Sequence, residues 1–210
     1  MKQLDAIIFD VDGTLWDSTA EVANAWNASI EKHLNGKGFL DKEGIMALFG
    51  KTMDEIWALV FPEMDEKKRK SFSNICSDEE VEWLKTHPGE IYKGVYQTME
   101  ELSERLPLYI VSNCQCGYIE VMLETTKMEK FFQGQLCFGD TNMSKDRTIL
   151  KLLEQHNLKN VVYVGDTQGD ADSCKKAGVP FVFAKYGFGD VPDAADVLAD
   201  IRELPAWLEK

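Results

Sequence analysis

Two aspartates one residue apart close an apolar run: Asp10 and Asp12 in "AIIFDVDGTLWDS", residues 6–18. A second acidic pair, Asp166 and Asp170 in "GDTQGD", follows the apolar stretch "NVVYV". The run "PLYIV" ends in Ser112 and Asn113, and Lys145 stands in the loop before "DRTILKLL". Gathered at one place, several carboxylates repel one another, and some stay protonated unless a cation intervenes. A hard divalent cation such as Mg²⁺ resolves the conflict. It takes oxygen ligands in an octahedron and leaves positions for waters or phosphate oxygens. One lysine adds a mobile positive charge. A serine hydroxyl and free backbone N–H groups at strand-to-helix turns can hold a phosphate.

That chemistry requires elements that bring the segments together. "LDAIIF" is short, branched and aromatic, and reads as a buried strand. From Ser18 the texture turns helical. Val22, Trp26, Ile30 and Leu34 recur at fourfold spacing, and "NGKG" ends the run. Three capping boxes are expected: Ser18 with Glu21, Thr52 with Glu55, and Ser77 with Glu80. Residues 16–87 thus read as several helices with no convincing strand, closed by the breaker "HPG".

After that, helical stretches alternate with strands at "PLYIVS", "QLCFG", "NVVYVG" and "PFVFA", with a short apolar stretch near "DVLA". A helix "LPAWLEK" ends the chain. Alternation of this kind predicts a parallel sheet with right-handed crossovers. In such a sheet, ligands sit beyond the carboxyl ends of the strands, where the polar groups above all fall. The expected fold is α/β: a Rossmann-like core from 1–15 and 88–210, with an all-helical cap, 16–87, inserted after the first strand. The two ends of the insertion should lie close together at one edge of the sheet.

The bulk properties set bounds. At roughly 150 residues per domain, 210 residues fit one core plus a smaller piece. A formal net charge of -13 argues against a nucleic-acid partner, because an acidic surface repels a phosphate backbone. The dense basic run "KKRK", Lys67 to Lys70, is flanked by acids and reads as a solvated helix face. Five cysteines in no zinc spacing suit a reducing cytoplasm. Cys114 and Cys116 have no basic neighbour to activate them and read as structural. Nothing near the N-terminus reads as a signal peptide or a membrane span. Trp26 and Trp57 are expected to pack the cap, and Trp16 to stand at the active-site entrance. The oligomeric state, monomer or homodimer, stays open.

The set "DVDGT", "VSN", the lysine of "SKDR" and "GDTQGD" resembles, in order, the four motifs of the haloacid-dehalogenase-like hydrolases. The resemblance spans nearly the whole chain, and the helical block resembles the cap of phosphoglycolate-phosphatase-like members. It implies Mg²⁺ and a covalent aspartyl-phosphate. Asp10 would be the nucleophile. Asp12 would be the acid that protonates the leaving oxygen, then the base that activates water. The metal would sit on the Asp10 carboxylate, the Asp12 backbone carbonyl and Asp166, with Asp170 orienting Lys145 or a metal-bound water. Ser112 and the Asn113 N–H would hold phosphoryl oxygens, and Lys145 would steady Asp10 and the phosphate. The loop "FGKTMDE" resembles the cap's specificity region and offers Lys51 to an anionic group. The implied activity is hydrolysis of a small phosphorylated metabolite. A phosphomutase of the same fold and a non-catalytic phosphometabolite-binding protein are the alternatives.

Overall fold

The computed structural model describes residues 4–209. Residues 1–3 and Lys210, assigned above to the core, lie outside the described residues. The chain runs β1 (Ala6–Phe9), β2 (Trp16–Asp17), α1 (Thr19–Leu34), α2 (Lys42–Leu48), α3 (Met53–Val60), α4 (Glu66–Leu84) and β3 (Glu90–Ile91). It continues α5 (Val95–Ser103), β4 (Leu108–Ser112), α6 (Tyr118–Thr126), β5 (Phe132–Cys137), α7 (Phe138–Thr141) and α8 (Lys145–His156). Last come β6 (Val161–Gly165), α9 (Gln168–Ala177), β7 (Phe181–Ala184), β8 (Val197–Leu198) and α10 (Leu204–Leu208).

One parallel sheet of 6 strands has the order β5-β4-β1-β6-β7-β8. This is the α/β Rossmann-like architecture expected. β1 lies at its centre, with Phe9 beside both Ile110 and Val164. The chain builds leftward from β1 to β5, then returns to build rightward from β6. The reversal opens a crevice at the carboxyl end of β1, where such sheets bind ligands. All four residues of β1 are buried, as a strand covered on both faces requires. Ile7 and Phe9 enter the cluster shared with α5, α6 and the helical block, while Ala6 and Ile8 pack with Ile149 and Leu152 of α8 and Cys174 of α9.

The helical block α1–α4 leaves after β1. It therefore departs from the middle of the sheet, at the carboxyl rim, and not from an edge strand. Its ends are indeed close. β2 and β3 pair antiparallel, Trp16 with Ile91 and Asp17 with Glu90, at the neck. β2 is a strand inside the stretch expected to have none, because two residues carry no periodicity to read. Trp26, Trp57 and Phe72 pack the block's interior, with ring centroids 4.9 and 4.8 Å apart along the series.

The capping expectations divide. Thr52 and Glu55 form the box that starts α3. Ser18 precedes α1 without a side-chain cap; its hydroxyl goes to Asp12 and Tyr118 instead. Ser77 and Glu80 lie inside one continuous helix, α4, whose cap is Asp65. The amides that a box would satisfy are already bonded within the helix there. Lys145 is the first residue of α8, and not a loop residue. The "KKRK" run lies in the first turns of α4, largely exposed as read from the sequence.

Candidate active site

The rim at the end of β1 is where the candidate residues meet. Asp10 directly follows β1, Ser112 ends β4, and Asp166 directly follows β6. Lys145 opens α8 and Asp170 sits in the first turn of α9. Asp10 is 3% exposed, Lys145 4%, and Asp166 and Asp170 0%. Lys145 Nζ donates to Asp10 Oδ1 at 3.0 Å and to Asp170 Oδ1 at 2.5 Å. Asp170 Oδ2 accepts the Thr167 amide at 3.0 Å and its hydroxyl at 2.7 Å, closing a capping box. Both Asp170 oxygens are thus engaged, which makes Asp170 the anchor of Lys145.

A carboxylate oxygen of each of Asp10, Asp166 and Asp170 lies within 4.8 Å of the others. Burial, offset by Lys145, pushes the Asp10 pKa up to about 6. Burial and the charges of Asp170 and Asp10 push Asp166 well above the usual carboxylate range. Asp166 Oδ2 accepts the Phe188 amide at 2.7 Å, but Oδ1 is buried with no hydrogen-bond partner. The orphan oxygen of Asp166 beside the Asp10 carboxylate fits a hard divalent cation, with Asp170 behind them holding Lys145. Gly13 permits the approach: its φ is +76°, and a Cβ there would stand 2.1 Å from Asp166 Oδ2.

Asp12 differs from its neighbour. It is partly exposed, and its Oδ1 accepts from Tyr118 OH at 2.7 Å, Trp16 Nε1 at 3.1 Å and Ser18 Oγ at 3.2 Å. Burial pushes its pKa up to about 7, with the Tyr118 bond opposing and the Asp10 charge adding. Such a group holds and releases a proton near neutrality. Trp16 is fully buried, so it braces Asp12 and does not guard an entrance. Its ring meets Tyr118 edge-on at 5.7 Å.

A cleft opens between rim and helical block, lined in part by Asp10, Asp12, Ser112, Asn113 and Lys51. Asn113 Nδ2 donates to Gly50 O at 2.8 Å, tying the rim to the loop that carries Lys51. Lys51 is exposed, with Nζ on Ala47 O at 3.1 Å. Cys114, Cys116 and the other cysteines are free. Burial raises the Cys114 and Cys116 thiols, the latter to about 11, which leaves neither a reactive thiolate at neutral pH.

The sequence reading missed Tyr118 and Glu80. Nothing local marks Tyr118, which reaches Asp12 across 106 residues. Glu80 had a signal: Phe72, Cys76, Glu80 and Leu84 are all buried at fourfold spacing, so the glutamate stands in α4's apolar stripe.

An open parallel sheet with buried carboxylates and one lysine converging at its switch point is an α/β fold with a charged rim where such sheets bind ligands. The model of the haloacid dehalogenase-like hydrolase family matches residues 7–184, and the chain belongs to that family. A phosphoglycolate phosphatase of Photorhabdus laumondii is 27% identical over 90% of this chain and 83% of its own length. The pyrophosphatase PpaX of Listeria welshimeri is 25% identical over 83% of this chain and 80% of its own. The crystal structure of a predicted phosphoglycolate phosphatase from Haemophilus somnus superposes with a TM-score of 0.85 at 21% identity, over 99% of both chains. Among the described residues, no helix is long and apolar enough to cross a membrane.

Proposed function

We propose that this hydrolase is a cytoplasmic Mg²⁺-dependent phosphatase that cleaves a small phosphorylated metabolite through an aspartyl-phosphate on Asp10. The observation that carries the reading is the buried group of Asp10, Asp166 and Asp170 bridged by Lys145, with an Asp166 oxygen left unpaired. The core, 1–15 and 88–210, supplies this centre, and the cap, 16–87, covers it. Free thiols throughout fit a reducing compartment.

The steps follow from the residues. Ser112 and the Asn113 amide hold phosphoryl oxygens, and Lys51 meets the substrate's charge from the cap side. Lys145 holds Asp10 in place, itself fixed by Asp170. The Asp10 carboxylate attacks phosphorus, forming one P–O bond as the bond to the leaving alcohol breaks. Asp12 gives its proton to the departing oxygen, then takes one from the water that attacks phosphorus and frees Asp10 and inorganic phosphate. Asp10, the Asp12 carbonyl and Asp166 would hold the cation, which shields the carboxylate from the phosphate and neutralises developing charge.

The test is phosphate release over phosphorylated sugars, glycolate and nucleotides. Release should stop with EDTA and return with Mg²⁺; hydrolysis indifferent to chelation would remove the metal assignment. Tyr118→Phe should lower kcat about tenfold while KM stays within about twofold, because Tyr118 positions the proton donor and does not bind substrate. Steady-state kinetics on one ester decide this, and an unchanged kcat would leave Tyr118 as packing only.

A further inference from the structure

Away from the carboxylate rim, the neighbouring ends of β4 and β5 bring a second set of ligand-type side chains together. Ser112 at the end of β4 stands beside Cys137 at the end of β5. The chain leaving β4 carries Cys116, and the chain leaving β5 carries Asp140 in α7. A sulfur of each of Cys116 and Cys137 and a carboxylate oxygen of Asp140 lie within 4.8 Å of one another. No local spacing announces this set; the pairing of the two strands makes it.

Backbone groups hold the three side chains in place. Asp140 Oδ2 accepts the Cys137 amide at 2.9 Å, and the Asp140 amide donates to the Cys137 sulfur. Asp140 Oδ1 faces Cys116, whose thiol donates to it at 3.5 Å. The Gly139 amide donates to the Cys114 carbonyl at 3.1 Å, which fastens the loop after β4 to α7. Gly139 permits that approach: a Cβ there would stand 2.3 Å from the Cys116 nitrogen. Cys116 and Asp140 are exposed, so an ion can reach them from solvent, and Cys137 is buried behind them.

Disulfide exchange and metal binding both use neighbouring thiols, and charge decides between them. Exchange needs a thiolate, and the groups acting on Cys116, which are Cys137 and Asp140, supply no positive charge to make one. A metal ion brings that charge itself and displaces the thiol protons. Two sulfurs and one oxygen select the ion. Mg²⁺ and Ca²⁺ prefer oxygen throughout, and Cu(I) prefers soft sulfur. Zn²⁺ takes Cys and Asp together in a tetrahedron, at about 2.3 Å to sulfur and about 2.0–2.2 Å to oxygen. Those bond lengths put sulfur and oxygen about 3.6 Å apart. Cys116 Sγ and Asp140 Oδ1 already stand at 3.5 Å.

We propose that Cys116, Cys137 and Asp140 form a Zn²⁺ site, separate from the carboxylate rim, that clamps the loop after β4 to the end of β5. Water completes the tetrahedron. The orienting bonds from the Cys137 and Asp140 amides are the outer support that such a site needs.

The experiment keeps the protein reduced with a phosphine, holds Mg²⁺ in excess to occupy the rim, and adds Co²⁺ and then Zn²⁺. Co²⁺ should give a thiolate-to-cobalt charge-transfer absorption that saturates at one equivalent, and Zn²⁺ should abolish it by displacement. Cys116→Ser and Asp140→Asn alter exposed side chains, and each should weaken Zn²⁺ binding at least about tenfold by calorimetry. Circular dichroism checks both folds, and either variant carries the test if the other does not fold. Asp10→Asn should still bind Zn²⁺ and keep the cobalt absorption. No charge-transfer absorption at saturating Co²⁺ overturns the proposal. Zn²⁺ affinity unchanged in the folded variants overturns it too, as does loss of Zn²⁺ binding in Asp10→Asn, which would put the ion at the rim. Phosphate release is not read, so failure of the phosphatase reading and failure of this one are told apart.

Discussion

Asp10→Asn should reduce kcat/KM for any phosphate ester by at least about 10⁴-fold while the protein stays folded. The size follows from the role proposed for Asp10: removing a covalent nucleophile would remove the whole two-step route, and such losses are among the largest single substitutions produce. The stability half follows from the surroundings. Burial raises the Asp10 carboxyl to about 6, so its ionised form is held at a greater cost in the native state than in the unfolded chain. Asparagine keeps the shape and relieves the crowding with Asp166 and Asp170, while Lys145 retains Asp170. The melting temperature at pH 7 should therefore stay within a few degrees of wild type. Phosphate-release kinetics beside thermal denaturation give both numbers. More than a hundredth of wild-type activity in a folded variant would remove Asp10 as nucleophile.

How far the sequence shows this site depends on whether a local pattern encodes each contact. β1, β4 and β6 are short apolar runs because sheet strands covered on both faces must be. Their carboxyl ends are the one place where Asp10, Ser112 and Asp166 can meet, so the convergence is legible before any coordinates. Local patterns mislead where two physical causes share one spelling. The four-residue pattern of Ser77 and Glu80 starts a helix only where amides lack partners, and α4 is already running there. The stripe of Phe72, Cys76 and Leu84 around Glu80 carries that information over a longer window. Ser18 and Trp16 illustrate side-chain direction, which sequence does not give. Both turn inward to Asp12, one from a capping position and one from a neck strand. The Tyr118 bond to Asp12 is a product of the assembled fold, with no local pattern to announce it.

Lys145→Met should cost both stability and catalysis, and in a manner that depends on pH and on Mg²⁺. Lys145 is buried, and although burial alone lowers its pKa, Asp10 and Asp170 outweigh that and hold it above its usual value. Methionine keeps most of the volume but removes the charge that two buried carboxylates share. Breaking a buried pair costs about 3–5 kcal/mol because the remaining charge has no partner. For a chain of this size that is a fall in Tm of roughly 10 °C. The remaining carboxylates can escape by taking up a proton. Asp10 already binds its proton more tightly in the native state than the ordinary value of 3.8, with a pKa of about 6, and loss of Lys145 raises it further. The native state then holds more protons than the unfolded chain from about pH 4 upward, so stability falls as pH rises through that window. The deficit should be larger at pH 8 than at pH 5. On the proposed reading Mg²⁺ would bind only the folded carboxylates, and it should recover part of the Tm at pH 8. Activity should still drop at least about a hundredfold, because the cation replaces the charge but not the hydrogen bond that orients Asp10. Thermal scans at the two pH values with and without Mg²⁺ measure the effect; equal melting temperatures for variant and wild type under all four conditions would show that Lys145 does not balance these carboxylates.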